Sequence, residues 1–366
     1  MTDIAFVLGT RPEIIKLAPV IQACERRGIE YVLVHTGQHY SDSLDSVFFD
    51  QLDLPDPDYD LAVGSGSHGE QTAEMLVGVE RALEETAPEV VLVQGDTNSV
   101  LAGALAASKM DTELGHVEAG LRSFDREMPE ETNRVLADHV ADYHFPPTDR
   151  SKGYLLREGI SAFRITVTGN TVVDAVERNL DIAREKSTVV ADLGLDDSRF
   201  FLLTAHRAEN VDDEERFRGL LEGAQRAGDA HDADVVYPMH PRSRSRVEEF
   251  GIDLPPRVRA VEPLEYLDFL QAAASADLIL TDSGGVQEEA CVLGVPCVTM
   301  RDNTERPETV DAGANRLSSC DPARIERSVA AMLGASEWEN PFGDGDAAER
   351  ILEALPVEAP STEVPQ

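Results

Sequence analysis

Eight short segments of the chain set charged or hydroxyl side chains, in seven of them beside glycine or proline, where an apolar run gives way to a helical pattern. In the first half they are GTRPEIIK (residues 9–16), QGDTNSV (94–100), GHVEAGLR (115–122) and MPEETNR (128–134). Asp96, Glu118 and Glu130, the last with Glu131 beside it, stand at three successive points of this kind, and acids so placed can converge on one cleft. Arg11 and Lys16 lie near a helix start, where unpaired backbone N–H groups already favour an anion. Each has a plainer alternative: Asp96 as a helix N-cap, Glu118 in an ion pair with Arg122, Glu130 as an acid matched to a helix dipole, Arg11 and Lys16 as solvated charges.

In the second half, TAHRAEN (204–210) brings His206 and Arg207 to the end of a strand, and YPMHPRS (237–243) brings His240 and Arg242 to the same topological position. A satisfied, buried histidine is the alternative for His206. LTDSGGVQEEA (280–290) opens a helix with Ser283, Gly284 and Gly285; paired glycines let backbone N–H groups approach a diphosphate, and the helix start favours its charge. Glu288 and Glu289 follow within two turns, where a carboxylate can accept hydrogen bonds from ribose hydroxyls. MRDNTERPE (300–308) adds Arg301 and Arg306. Neither a GxGxxG fingerprint nor a Walker A loop occurs among these turns.

The elements that must carry these turns are short apolar, β-branched runs at 4–8, 31–34, 90–93, 165–167, 200–203, 235–237 and 278–280, each followed by a polar or glycine-rich turn and an amphipathic stretch. Runs that are apolar on both faces suit buried parallel strands, and their alternation with helices predicts repeated βα units. Such sheets bind ligands outside the carboxyl ends of their strands, where the eight segments fall. A break between halves is expected near 169–174, a second βα series from 200, a helix at 346–355 and a disordered tail of proline and acid at 356–366.

Composition narrows the partners. Lys and Arg number 32 against 69 Asp and Glu, a net charge of −37 that repels nucleic acid and anionic membranes. An anionic ligand then needs its basic residues gathered locally. No apolar run reaches the roughly 20 residues of a membrane span, and MTDIAFVLGTRPE does not read as a secretory leader, so a cytoplasmic location is expected. Cys24, Cys291, Cys297 and Cys320 form no CxxC pair, and no metal-ligand spacing is present.

Taken together, GTRPEIIK, QGDTN, GHVEAGLR, PEETNR, TAHR, LTDSGGVQEEA and RDNTERPE resemble, in order and over residues 4 to 355, the non-hydrolysing UDP-N-acetylglucosamine 2-epimerases. The resemblance implies an α/β fold of the glycosyltransferase-B-like kind, with two Rossmann-like domains facing across a cleft. These would be an N-terminal domain at 1–168 joined by the helix 346–355, and a UDP-binding domain at 169–345. Carried over by position, Asp96, Glu118, Glu130 and His206 are the expected catalytic group. Arg11, Lys16, His240, Ser283, Gly284, Gly285, Glu289 and Arg306 are the expected ligands of UDP, and Phe269 is the expected aromatic against uracil. Gln38 and His39 match part of the region where bacterial members bind an activating second substrate molecule, but their neighbours differ.

The implied reaction is reversible C2 epimerisation of UDP-N-acetylglucosamine to UDP-N-acetylmannosamine. The C2 proton is not next to a carbonyl, so the C1–O bond breaks first, UDP leaves and the proton is lost from beside the cation. UDP then adds back to 2-acetamidoglucal with a proton delivered to the opposite face. Neither a metal nor a redox cofactor is expected, and the expected partners are a UDP-sugar and a second copy of the chain. A glycosyltransferase of the same fold, or an epimerase acting on a UDP-diacetamido uronic acid sugar, are the competing readings.

The acid excess also reads as adaptation to salt, which screens self-repulsion. Raising KCl should therefore raise the melting temperature of the purified protein; a flat or falling curve counts against a host living at high salt.

Overall fold

The computed structural model describes residues 2–37, 49–196, 198–335 and 337–357. Gln38 and His39 lie outside the described residues, as do residues 358–366 of the expected tail. The chain divides into two compact units, one of Met1–Ala175 with Phe342–Gln366 and the other of Val176–Pro341.

The first unit is built on a parallel six-stranded sheet in the order β3-β2-β1-β4-β5-β6. Its strands are β1 Ile4–Leu8, β2 Tyr31–His35, β3 Tyr59–Asp60, β4 Val90–Gln94, β5 Glu113–Val117 and β6 Tyr143–Phe145. β1 and β4 are buried along their whole length, as strands covered by helices on both faces must be. The alanine-rich helix Asn98–Ala107 lies close on them: a Cβ at Gly103 would sit 3.0 Å from methyls of both Val7 and Val93.

The second unit repeats the plan with β7 Phe200–Thr204, β8 Asp234–Pro238, β9 Val258–Val261, β10 Leu278–Thr281, β11 Cys297–Thr299 and β12 Asn315–Leu317, in the order β12-β11-β10-β7-β8-β9. Counted from each unit's own first strand, both sheets have the doubly wound 3-2-1-4-5-6 order. The direction of winding therefore reverses between β1 and β4, and again between β7 and β10. These are the points at which such a sheet leaves room for a ligand.

One expected strand is absent. Residues 165–167 make a single parallel bridge, His144 to Ile165, with Thr166 donating to the His144 carbonyl at 2.9 Å. Pro146 follows β6 and has no N–H, so it cannot donate the next rung; its carbonyl still accepts from Thr168 N at 3.3 Å, but no second bridge forms.

The helix Ala347–Ala354 completes the first unit by packing on the helix Arg11–Arg27. It buries Ile351 and Leu352, and Glu349 accepts ion pairs from Arg26 at 2.7 Å and Arg27 at 2.5 Å. Its start is fixed by Asp174, whose Oδ1 accepts from the Ala348 N–H at 2.9 Å. Burial pushes the Asp174 carboxyl up from 3.8 to about 6, and Oδ2 is buried without a hydrogen-bond partner.

An acid with a raised folded-state pKa stabilises below its unfolded pKa, and that contribution is lost as pH rises through the folded value. The Asp174→Asn protein stays neutral and should therefore gain melting temperature on the wild type as pH goes from 5 to 7.5. Parallel thermal-melt curves over that range would contradict the assignment.

Candidate active site

In the first unit the expected residues lie on the segments that follow β1, β4 and β5. Glu118 is the residue directly after β5 and is buried. Lys16 Nζ donates to its Oε1 at 2.6 Å, Asn170 Nδ2 donates to the same oxygen at 2.8 Å, and the Gln94 amide donates to Oε2. The backbone of Glu118 sits at φ 65°, in the left-handed region that a non-glycine residue occupies at a cost of about 1–3 kcal/mol. Such strain persists only where surrounding contacts hold it. The alternative pairing of Glu118 with Arg122 does not form: Arg122 pairs instead with Asp138 at 2.7 Å and Glu158 at 2.5 Å.

Asp96 lies two residues past β4, and Thr97, not Asp96, caps the helix Asn98–Ala107, its Oγ1 accepting from Val100 N at 3.3 Å. The Asp96 carboxylate pairs with Arg134, and its carbonyl accepts from Asn133 Nδ2 at 3.0 Å. The helix Pro129–Val140 thus presents two consecutive polar residues to the Asp96 turn. Glu130 is exposed in the first turn of that helix, while its neighbour Glu131 is buried. Glu131 accepts from Ser123 N at 2.9 Å and Phe124 N at 3.0 Å, and pairs with Arg134 at 2.7 Å. Arg134 therefore joins the Asp96 turn to the loop 123–131. Arg11 is exposed at the start of its helix, whereas Lys16, one turn further on, is buried against Glu118.

Glu13, within the segment GTRPEIIK, is not among the expected site residues. Its Oε2 accepts from Gly9 N at 2.8 Å and Thr10 N at 2.7 Å, and its Oε1 accepts from Thr97. Burial pushes its carboxyl up to about 7 in spite of those hydrogen bonds. One side chain thus locks the turn after β1 to the turn after β4.

In the second unit the corresponding organiser is Asp282, fully buried just after β10. It accepts from the backbone N–H groups of His206 and Arg207, each at 3.0 Å, and so sets the turn after β7. His206 is part-exposed, its Nδ1 3.7 Å from Asp282, and its ring lies 5.5 Å from that of His240. His240 caps the helix Pro241–Glu249, its Nδ1 accepting from Arg242 N at 3.2 Å.

Ser283 is the N-cap residue of the helix Gly284–Leu293. A Cβ at Gly284 would fall 2.4 Å from Glu305 Oε1, so a larger residue there would displace the Glu305 carboxylate. Gly285, by contrast, faces open space. Glu305 pairs with Arg301 at 2.8 Å and Arg207 at 3.2 Å. Burial opposes its charge, but the guanidinium groups of Arg306, Arg301 and Arg207 outweigh it and hold the carboxyl well below the usual range. Arg306 is buried and pairs with the fully buried Glu288 at 2.5 Å. Glu289 is buried as well. Phe269 is half-buried and packs on the core cluster of Phe200, Leu202 and Ile279.

The structure thus gathers Lys16 with Glu118 and sets Asp96 on Arg134; in the second unit it gathers His206 with His240, and Ser283 and Gly284 beside the arginine–carboxylate group of residues 301–306. Glu13, Gln94, Glu131, Asn170 and Asp282 hold these groups and carry little signal of their own in one sequence. The exception is Glu131, adjacent to the residue the motif points to. Among the described residues, no helix is long and apolar enough to cross a membrane.

A family model described as UDP-N-acetylglucosamine 2-epimerase matches residues 22–356. A UDP-N-acetylglucosamine 2-epimerase of Methanocaldococcus jannaschii is 51% identical over 360 residues, covering 96% of this chain and 98% of that one. A UDP-2,3-diacetamido-2,3-dideoxy-D-glucuronate 2-epimerase of Pseudomonas aeruginosa is 41% identical over 354 residues, covering 95% and 98%. The crystal structure of the Methanocaldococcus jannaschii UDP-GlcNAc 2-epimerase in complex with UDP-GlcNAc and UDP matches with a TM-score of 0.90 at 50% identity, covering 96% and 98%. That of Neisseria meningitidis UDP-GlcNAc 2-epimerase bound to UDP-GlcNAc matches at 0.89 and 34%, covering 96% and 99%.

The contrast between the two neighbouring acids is measurable. Glu131→Gln leaves a loop N–H and Arg134 short of an acceptor and should cost about 1–3 kcal/mol in urea unfolding. Glu130→Gln, at an exposed position, should stay within about 0.5 kcal/mol of wild type. Equal effects from the two would contradict the division of roles.

Proposed function

The chain belongs to the UDP-N-acetylglucosamine 2-epimerase family, and from that premise we propose that it reversibly inverts C2 of UDP-N-acetylglucosamine, giving UDP-N-acetylmannosamine. The observation that carries the choice of sugar is 51% identity to an enzyme of that name over nearly all of both chains, against 41% to the diacetamido-glucuronate epimerase.

The reaction asks for two sets of groups, and each unit brings one. Breaking the C1–O bond sends its electron pair to UDP, so the diphosphate needs cationic and N–H partners. In the second unit His206, His240, Arg306 and the helix start at Ser283, Gly284 and Gly285 are suited to it, and we assign Glu289 to the ribose and Phe269 to uracil. In the first unit Arg11 adds a charge at a helix start.

With UDP gone, the ring oxygen shares the positive charge at C1. The C2 proton passes to a carboxylate, and the C2–H electron pair becomes the C1–C2 double bond of 2-acetamidoglucal. Re-addition reverses these steps, with the proton delivered to the opposite face. Asp96 and Glu118 carry the proton transfers and Glu130 supports them; Lys16, hydrogen-bonded to Glu118, ties that acid to the helix that also bears Arg11. In this reading the acids belong to an N-terminal domain, 1–168 with 346–355, and the UDP ligands to 169–345.

The same premise supports a homodimer on the path to a surface polysaccharide or glycan; the net charge of −37 supports a salt-adapted cell, in whose cytoplasm the enzyme acts. A glycosyltransferase is the reading to exclude. It would need an acceptor, and it would have no use for the acids of the first unit.

Incubating the protein with UDP-N-acetylglucosamine alone in heavy water and following it by NMR decides between them. Epimerisation yields the manno isomer with deuterium at C2, and free UDP does not accumulate. Unchanged substrate, or release of UDP with free N-acetylmannosamine, would refute the proposal. Asp96→Asn and Glu118→Gln should each lose kcat by ~10²–10⁴-fold if the acids move protons.

A further inference from the structure

His116 and Asp138 enter none of the steps above, yet both are fully buried between the two turns that bear the first unit's central acids. His116 lies on β5 and Asp138 on the helix Pro129–Val140. The imidazole Nδ1 is 2.7 Å from Asp138 Oδ1, and Nε2 is 2.8 Å from the Gly95 carbonyl. A carboxylate and a carbonyl can only accept, so both ring nitrogens donate and the ring is a cation.

Asp138 in turn takes Arg122 Nη2 at 2.7 Å and the Gly120 N–H at 3.1 Å on its second oxygen. Gly95 immediately precedes Asp96, and Gly120 follows Glu118 by two residues. One buried chain of charge-assisted bonds thus runs from the backbone of the Asp96 turn, through His116 and Asp138, to the backbone of the Glu118 turn.

Side chains already hold the two acids in these turns, but the glycines beside the acids stay free to move. Gly95 and Gly120 sit at φ 86° and 78°, and Glu118 between them at 65°. Glycine leaves many alternative backbone states open. An apolar pair would hold β5 to the helix at least as well as buried charges, which are costly to desolvate. It could not grip a carbonyl on one turn and an N–H on the other at once.

We propose that His116 and Asp138 are positioning residues that fix the Asp96 turn against the Glu118 turn, so that the two carboxylates are pre-set for the chemistry without His116 or Asp138 touching the sugar nucleotide. The proposal rests on the epimerase reading. It concerns kcat, because misplacing a proton-transfer group harms the chemical step more than it harms binding.

The test is steady-state epimerisation of UDP-N-acetylglucosamine by the full chain and its His116→Gln, His116→Asn, His116→Ala and Asp138→Asn variants, each checked for folding by circular dichroism. A glutamine amide can stand in for Nε2–H and keep the Gly95 bond; an asparagine amide can stand in for Nδ1–H and keep the Asp138 bond. His116→Ala and Asp138→Asn should lower kcat about 10- to 100-fold with KM changed less than about threefold. His116→Gln should recover more of kcat than His116→Asn, because it holds the turn that carries Asp96.

Folded variants with wild-type kcat, or a rise in KM at constant kcat, would overturn the proposal. If His116→Ala does not fold, the Gln and Asn variants decide, and wild-type kcat in both overturns it. A wild-type chain without epimerase activity would instead sink the reading on which the proposal rests.

Discussion

A carboxylate buried at a strained backbone position is the constraint around which the first unit is organised. Glu118 can keep its left-handed conformation and its place in the interior only if donors surround it. They come from three directions: Lys16 from the helix after β1, Gln94 from the end of β4, and Asn170 from the stretch that leads into the helix Thr171–Lys186. Moving any of these elements would strip the acid of a partner. The requirement explains why a lysine is buried one turn into the helix Arg11–Arg27. It also explains why that helix is pinned at its start by Glu13, which reaches across to Thr97.

The second unit solves a similar problem with the roles of backbone and side chain exchanged. Asp282 is buried at the end of β10, and it gathers main-chain N–H groups from the turn after β7. In both units the organising acid joins loops of neighbouring strands near the point where the sheet order reverses. The doubly wound topology opens a gap at that point of each sheet, and within each unit a buried carboxylate keeps the loops beside it in one conformation. Around Gly284 the same logic takes a steric form: a backbone with no Cβ lets Glu305 and its arginines stand close to a helix start.

Most of the architecture was legible in the chain, because buried parallel strands announce themselves as apolar runs. β1, β4, β7 and β10 were all foreseen on that signal. β3, β6, β9 and β12 were not: they have two to four residues each, and β9 and β12 are partly exposed, so no run or alternation marks them. The run at 165–167 misled for the opposite reason, since its composition suits a strand but its neighbour offers prolines instead of donors.

At the site, residues at strand ends could be found by position and type. Their supports could not. Asn170, Asp138 and Asp282 look ordinary in sequence and acquire their roles only through partners 18 to 76 residues away. The motif at 128–134 shows the limit sharply. Two adjacent glutamates have the same chemistry and the same helix-start signal, and helix phase alone decides that one is exposed while the other caps a loop.

The last helix of the chain belongs to the first unit, beside a helix made near the beginning. Synthesis therefore leaves that unit unfinished while the whole of the other emerges. Until Ile351 and Leu352 arrive, the apolar flank of Arg11–Arg27 has no cover, and the ion pairs of Arg26 and Arg27 with Glu349 cannot form. A nascent chain would thus carry an open apolar seam until residues 351 and 352 are made, and truncation before them would leave the seam uncovered. The cover of one sheet's first helix is thus supplied only after the other sheet has been translated.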